Sequence, residues 1–221
     1  MVSLHLCMIK KVLFSLLSGL MFFSSEGQTF VDDIDHVAIV VIDYCVDTNG
    51  ERFNIVLNEE KTTYKNKAWQ DGCITYFKDA SLMQPMAMVD DCWQAVYYFV
   101  NSKYKTYELP AVDQAKCKVF HLGEYKYESP AYNKTQILRR KHKQIEKSPI
   151  KDQRQVYAIE WLEDHIYTLT ALKLPLEKDK NKVGNLLKVE IIELIGDNSY
   201  LYRASIKDDP NVIYGIITKV Q

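Results

Sequence analysis

Short apolar segments alternate with polar turns throughout the second half of the chain. Eight such segments lie between residues 118 and 219, and they have the length and the Val, Ile, Thr and Tyr content of β-strands. They are residues 118–127, 135–139, 142–146, 155–162, 166–173, 186–194, 200–204 and 212–219. Turns such as Gly196-Asp197-Asn198 separate them. This spacing predicts an antiparallel meander over residues 115–221 that curls into a small barrel or a half-barrel.

The first half of the chain combines strand and helix patterns. Residues 36–46 are almost continuously apolar, and Asn49-Gly50 follows them, a dipeptide that favours a tight hairpin turn. Residues 52–57 alternate apolar and polar side chains, which is typical of the returning strand. Residues 65–80 have apolar side chains at helical spacing, and residues 92–101 again have the composition of a strand. The predicted order is therefore hairpin, helix, strand.

Together these patterns predict a protein of the α+β class. Residues 30–110 are expected to form a small domain in which one helix packs on an antiparallel sheet, and residues 115–221 the antiparallel β domain. The chain is 47% hydrophobic, enough for real cores, and its 15 tyrosines and three tryptophans favour strands.

Residues 1–28 have the three parts of a cleavable secretory signal. Lys10-Lys11 supply the charge, residues 12–23 form a short apolar run, and residues 24–28 are mostly small and polar. The run is much shorter than the roughly 20 residues of a membrane-spanning helix. No cysteine follows it at a position suited to lipidation, and Met8 is the expected start of translation. We therefore expect a periplasmic or secreted protein with no stable membrane anchor.

Charge and motifs narrow the functional classes. The net charge of −1 gives no general attraction to nucleic acid. The motifs GxxxxGK[ST], GxGxxG and GxSxG do not occur. Four histidines follow the signal region, each alone in sequence: His36, His121, His142 and His165. We therefore predict no catalytic residue, no cofactor and no metal site. The alternative is an enzyme in which His121 and His165 meet Glu124 and Glu160 in space.

Other polar clusters are interpreted as surface features. The paired carboxylates of Asp32-Asp33-Ile34-Asp35 and Asp90-Asp91 lack the spacing of a calcium loop, so we expect them at turns and strand entries. The basic run Arg139-Arg140-Lys141-His142-Lys143 is interpreted as a solvated hairpin tip, with contact to phosphate or anionic lipid as the alternative.

Aromatic residues are dense in the second half of the chain. They include Tyr125, Tyr127, Tyr132, Tyr157, Trp161, Tyr167, Tyr200 and Tyr202. A barrel of about eight strands either encloses one small ligand or is filled by its own side chains. Both interpretations fit the alternation of these residues along their strands.

Several features of the first half resemble the C-terminal domain of TonB. They are the Asp47-Thr48-Asn49-Gly50 turn, the Gln84-Pro85-Met86 break after the helix, and a third strand that ends in Tyr98-Phe99-Val100-Asn101. The resemblance covers about 75 residues. It implies a bacterial periplasmic module that binds protein segments, often by adding a strand at a sheet edge. Unlike TonB, this chain has only six prolines and no long proline-rich spacer.

The TonB resemblance also bears on the cysteines. Four follow the signal region, namely Cys45, Cys73, Cys92 and Cys117, and sequence alone does not choose among their pairings. Buried thiols are the alternative to any bridge. In the antiparallel arrangement of that family the third strand lies beside the first, so the resemblance implies a disulfide between Cys45 and Cys92.

The second half resembles a group of small, uncharacterised exported bacterial β proteins with a lipocalin-like outline. The similarity lies in residues 117–125, Arg139, residues 144–146, 159–161, 167–169 and 189–192, and Tyr200. That group has no assigned chemistry, so the resemblance implies a fold only.

The sequence therefore favours an exported, non-enzymatic bacterial envelope protein that acts as a protein-binding module. Its expected partner is an envelope protein, bound by strand addition, and nucleic acid is not expected. The alternative is a lipocalin-like carrier of an apolar small molecule.

Overall fold

The computed structural model of the chain describes residues 28–80, 91–129, 135–149, 154–175, 177–206 and 212–220. Nearly all of the expected signal region lies outside these residues, as do the Gln84-Pro85-Met86 break, Asp90 and Tyr132. No helix among the described residues is long and apolar enough to span a membrane. The chain divides into two compact units: Ile39–Phe99 belongs to the first, and Phe30–Ala38 with Val100–Gln221 to the second.

A four-stranded sheet and one long helix occupy the N-terminal part. The strands are β1 (Thr29–Val31), β2 (Val37–Val46), β3 (Arg52–Leu57) and β4 (Asp91–Asn101), and the helix is α1 (Lys67–Ala80). Their order in the sheet is β1-β4-β2-β3, with β2 and β3 paired as an antiparallel hairpin. In the turn between them, Asp47 Oδ1 accepts hydrogen bonds from the backbone N–H groups of Asn49 and Glu51, both at 2.8 Å. Gly50 adopts a φ of 84°, which glycine allows without strain.

Helix α1 covers one face of this sheet. It begins after Asn66, whose side-chain oxygen accepts a hydrogen bond from the backbone N–H of Trp69 at 3.3 Å and so caps the first turn. The ring of Phe77 packs 4.7 Å from that of Tyr44, and Trp69 packs 5.3 Å from Phe99. Because side chains alternate along a strand, the neighbours of Tyr44 in β2 point to the opposite face.

The C-terminal part is a closed barrel. Its strands are β5 (Gly123–Tyr127), β6 (Gln136–Arg140), β7 (Lys143–Lys147), β8 (Arg154–Glu163), β9 (Ile166–Lys173), β10 (Leu186–Ile195), β11 (Ser199–Ile206) and β12 (Val212–Lys219). Each pairs antiparallel with the next, and β12 pairs with β5 to close the ring. The predicted barrel is therefore present.

The predicted α+β class is wrong, because the protein is mostly β. Strands hold 54% of the described residues and helices 19%. The period-two pattern of the second half produces eight strands. The single long helix in the first half contains too few residues for the protein to belong to the α+β class. The N-terminal sheet is also mixed, whereas the sequence predicted a purely antiparallel sheet. Strand β1 was missed because three residues are too few to show a period.

The segment that leads into the first strand of the barrel is helical. A short helix, α2 (Ala111–Gln114), continues into a 3-10 helix over Ala115–Phe120, where the sequence predicted the start of a strand. Cys117 and Phe120 from this segment are buried in the barrel core. The ring of Phe120 packs 4.9 Å from that of Tyr200. The segment thus contributes side chains to the barrel interior without joining its wall.

Candidate functional site

The sheet face opposite α1 carries a disulfide between Cys45 and Cys92. These are the two residues that the TonB resemblance places side by side. It joins β2 to β4, with Cys92 exposed and Cys45 half-buried. Cys73 and Cys117 are buried thiols outside this bridge. Burial, helped by Asp113 and Asp164, raises the pKa of Cys117 to about 12, so this thiol is unreactive at neutral pH.

Two apolar side chains of β3, the strand at the edge of the sheet, lie beside the disulfide. Phe53 pairs with Cys45 and Val56 with Asp43, and paired residues share a face of the sheet. Phe53 is 47% exposed and Val56 is 54% exposed. Asn54, between them, has a φ of 51° where the pairing register shifts. We call Phe53, Val56 and the disulfide the edge patch.

The polar groups next to the edge patch hold one another in place. Asp43 accepts hydrogen bonds from the side-chain amides of Asn58 at 2.8 Å and Gln94 at 2.6 Å. Lys61 Nζ donates to Gln94 Oε1 at 2.9 Å. Within the described residues β3 pairs only with β2, so this network borders a strand at the edge of the sheet.

Acidic side chains flank both ends of β3. Glu51 precedes the strand, Glu59 and Glu60 follow it, and all three are exposed. The one cation of the strand, Arg52, lies over the Phe77 ring at 4.4 Å and donates to the Phe77 carbonyl oxygen at 3.1 Å. Arg52 is therefore engaged with α1. The edge patch combines apolar side chains with a negative rim.

The barrel interior contains a second polar constellation, centred on Arg139. Arg139 is 1% exposed, and the hydrogen bonds of its guanidinium within the described part of the chain do not reach a carboxylate. Its partners are neutral: Gln144 Oε1 at 2.9 Å, the Phe120 carbonyl at 3.0 Å, and the hydroxyls of Tyr167 and Tyr200 at 3.1 Å. The rings of Tyr125 and Tyr167 lie 4.7 and 4.8 Å from the guanidinium carbon. The acceptors and rings come from five separate parts of the sequence.

Gln144 connects this cation to a buried carboxylate. Its side chain accepts from Arg139 Nε and donates to Glu146 Oε1 at 2.7 Å. Tyr127 donates to the same Glu146 oxygen at 3.1 Å. Burial raises the pKa of Glu146 to about 7, although the hydrogen bonds from Gln144 and Tyr127 and the charge of Arg139 oppose the rise.

The aromatic residues fill the barrel around these groups. The tyrosines at the described positions are at most 5% exposed: Tyr125, Tyr127, Tyr157, Tyr167, Tyr200 and Tyr202. Trp161 is partly buried against them, 4.5 Å from the Tyr167 ring. Gly215 leaves room for its cross-strand partner Tyr202, whose hydroxyl lies 2.6 Å from the place a Cβ on residue 215 would take. Of the two interpretations of the aromatic residues, these contacts favour core packing.

The four histidines have different surroundings, and His165 is buried with Nδ1 3.8 Å from a Glu163 carboxylate oxygen. His36 pairs with Glu193 at 3.4 Å, and His142 is exposed at the turn between β6 and β7. His121 stacks on Trp161 with a centroid distance of 3.7 Å and contacts the Asp164 carbonyl at 3.0 Å. Glu124 and Glu160, which the enzyme alternative required, are exposed. Among the residues that the structure describes, no three His, Cys, Asp or Glu side chains are grouped to hold a metal ion.

The acidic and basic clusters have separate outcomes. Asp32 accepts from the Ser102 hydroxyl, and Asp91 accepts from the backbone N–H of Cys92 at 2.7 Å, at the entry to β4. In the basic run, residues 140–143 are exposed, as predicted for a hairpin tip. The prediction is wrong for Arg139, which is buried.

Sequence reasoning missed the chain Arg139–Gln144–Glu146. The alternation of side chains along the strands could have found them. Ile137 is an apolar residue on the barrel side of β6, and positions 139, 144 and 146 fall on that same side of β6 and β7. Comparison with known proteins adds no assignment, since no protein-family model, no curated protein and no solved structure matches this chain.

Proposed function

We propose that this chain is an exported, non-enzymatic protein of the bacterial envelope that acts as a protein-binding module through its edge patch. The edge patch is the observation that carries the proposal. The disulfide supports the export step, because disulfides persist in oxidising compartments such as the periplasm and are rare in the cytosol. A periplasmic or secreted location is also what the pattern of residues 1–28 favours.

The position of the edge patch suits a bound strand. An edge strand presents unpaired backbone groups, and proteins ordinarily protect such edges with charges, bulges or covering segments. Here the irregularity at Asn54 and the acidic ends limit the edge, while Phe53 and Val56 stay exposed between them. An extended partner segment that pairs with β3 would cover these two side chains.

The charges indicate the kind of segment. Glu51, Glu59 and Glu60 are exposed at the two ends of β3, and Arg52 is occupied on the Phe77 ring. A segment with apolar residues at its centre and basic residues at its ends is complementary to this arrangement. The barrel interior is packed with its own aromatic and aliphatic side chains, which lends no support to the alternative of a carrier for an apolar small molecule.

Photocrosslinking in intact bacteria tests the proposal. The full chain is expressed with a photoreactive amino acid in place of Phe53, and in a matched control in place of Val119, which is 53% exposed in the other unit. We expect a defined protein adduct from position 53 that is absent from position 119. The substitution Val56→Lys in the same chain should abolish it, because a charge replaces the apolar contact. Identical adducts from both positions, or none from position 53, would overturn the proposal.

Cell fractionation and N-terminal sequencing test the export step separately. We expect the mature chain outside the cytoplasm, with its first residue close to Thr29. A full-length chain that is retained in the cytosol with Cys45 and Cys92 reduced would contradict export.

A further inference from the structure

The barrel core holds a carboxylate whose two oxygens have unequal surroundings. Glu146 is 1% exposed on β7. Its Oε1 atom accepts hydrogen bonds from Gln144 and Tyr127. Its Oε2 atom is buried and has no hydrogen-bond partner among the described residues. An ionised carboxylate with an unpartnered buried oxygen is costly, because water no longer solvates its charge.

Among the side chains that the structure describes, no cation contacts Glu146 directly to offset this cost. The five donors of Arg139 are directed to neutral acceptors, and the Gln144 amide separates the guanidinium from the carboxylate. A charge acting through an intervening amide stabilises the carboxylate less than a direct ion pair would.

Two described tyrosine hydroxyls interact with Glu146. Tyr127 faces it from β5 and Tyr157 from β8, and burial keeps the pKa of both well above the ordinary tyrosine value, so both stay neutral. Asp179, which acts on Tyr157, is ion-paired with Lys182 at 2.7 Å. The charge state of this part of the core therefore depends on Arg139, which is always protonated, and on Glu146.

We propose that Glu146 is a proton-binding site of the folded barrel, which takes up a proton from solvent under conditions in which an exposed glutamate is ionised. The proton resides on Oε2, the oxygen without a donor, and Oε1 keeps its two hydrogen bonds. Gln155 lies opposite Glu146 in the strand register, and its Oε1 atom accepts a hydrogen bond from the Tyr157 hydroxyl. Proton uptake changes the charge of the Arg139–Gln144–Glu146 chain from zero to +1.

This site links the stability of the barrel to pH with a definite sign. The Glu146 pKa is about 7 in the folded barrel, against an ordinary value of 4.5. Between these values the folded chain holds one more proton than the unfolded chain, so the folding equilibrium constant falls as pH rises. From about pH 5 to about pH 8 the loss attributable to this one group is about 70-fold.

The test compares the full chain with its Glu146→Gln variant. Glutamine has the shape of the protonated acid and keeps an oxygen for Gln144 and Tyr127. Urea unfolding of both proteins is measured from about pH 5 to about pH 8. We expect the wild-type folding constant to fall about 70-fold more than that of the variant. The histidines are the same in both proteins, so their contribution cancels in the comparison.

Two further measurements keep the proposal falsifiable. Glu160→Gln, an exposed substitution in the same barrel, should retain the full wild-type pH dependence. Carbon-13 NMR of labelled glutamate carboxyls in the wild-type chain should show one resonance that titrates near neutral pH, whether or not Glu146→Gln folds. If every glutamate resonance titrates in the ordinary acidic range, or if Glu146→Gln keeps the wild-type pH dependence, the site does not exist.

Discussion

Removal of the disulfide should destabilise the first unit by an amount that follows from its place in the chain. Cys45 and Cys92 are separated by 47 positions, and both β3 and α1 lie between them. Cross-linking a loop of this length removes conformational entropy from the unfolded chain, worth about 4 kcal/mol in the chain-entropy account. The double variant Cys45→Ala/Cys92→Ala is therefore expected to lose roughly a thousandfold in its folding equilibrium constant.

The assay is urea unfolding read by pulse-labelled hydrogen exchange, which follows peptides of each unit separately. Peptides from β2 and β4 should unfold at much lower urea in the double variant, and a reductant should shift the wild-type chain to the same midpoint. Barrel peptides should keep their midpoint, because the bridge lies in the first unit. A double variant within about 1 kcal/mol of wild type in β2 and β4 would refute the reasoning, since loop closure would then contribute little.

Two substitutions in the barrel are expected to lower its stability, whereas a control substitution in helix α1 is expected to raise stability. Gly215→Ala should cost about 1 to 3 kcal/mol of barrel stability, because the new methyl would meet the buried Tyr202 ring; a neutral result in thermal unfolding would mean that the ring moves freely. Gly72→Ala, in an exposed turn of α1 with nothing within 4 Å, should instead stabilise by about 0.5 to 1 kcal/mol in the same assay. Arg139→Met should cost about 3 to 5 kcal/mol by urea unfolding, since it leaves the acceptors of four residues without their donor. A stable Arg139→Met variant would show that those acceptors find water or one another.

The strands of the barrel could be predicted because each carries its own period-two pattern and its own turn. Arg139 could not be placed in the same way. It stands at the start of a basic run, and burial of its charge depends on acceptors at positions 120, 144, 167 and 200, which only the closed barrel brings together. Local patterns thus predict the elements, whereas the partners of a buried charge depend on the tertiary structure.

Local sequence patterns also could not predict the edge patch, although they predicted the hairpin that contains it. The Asn49-Gly50 turn and the alternation of residues 52–57 indicate strand β3. Which strand ends the sheet depends on β4 pairing with β2 from a distance in sequence, and the sheet order decides that Phe53 and Val56 remain exposed. The pairing of Cys45 with Cys92 came from a family resemblance and not from the spacing of the cysteines.

Closure of the barrel by β12 and β5 has a consequence for how the protein is made. The pairing of Ile217 with Tyr127 joins positions 90 residues apart, and the ring is complete only when this pairing and every intervening one are in register. Such non-local pairing is slow, and until it occurs β5 and β12 both present open edges to other chains. Synthesis must proceed through residue 219 before the ring can close. Folding of the barrel is therefore expected to follow synthesis of β12, and a chain that ends before β12 is expected to aggregate.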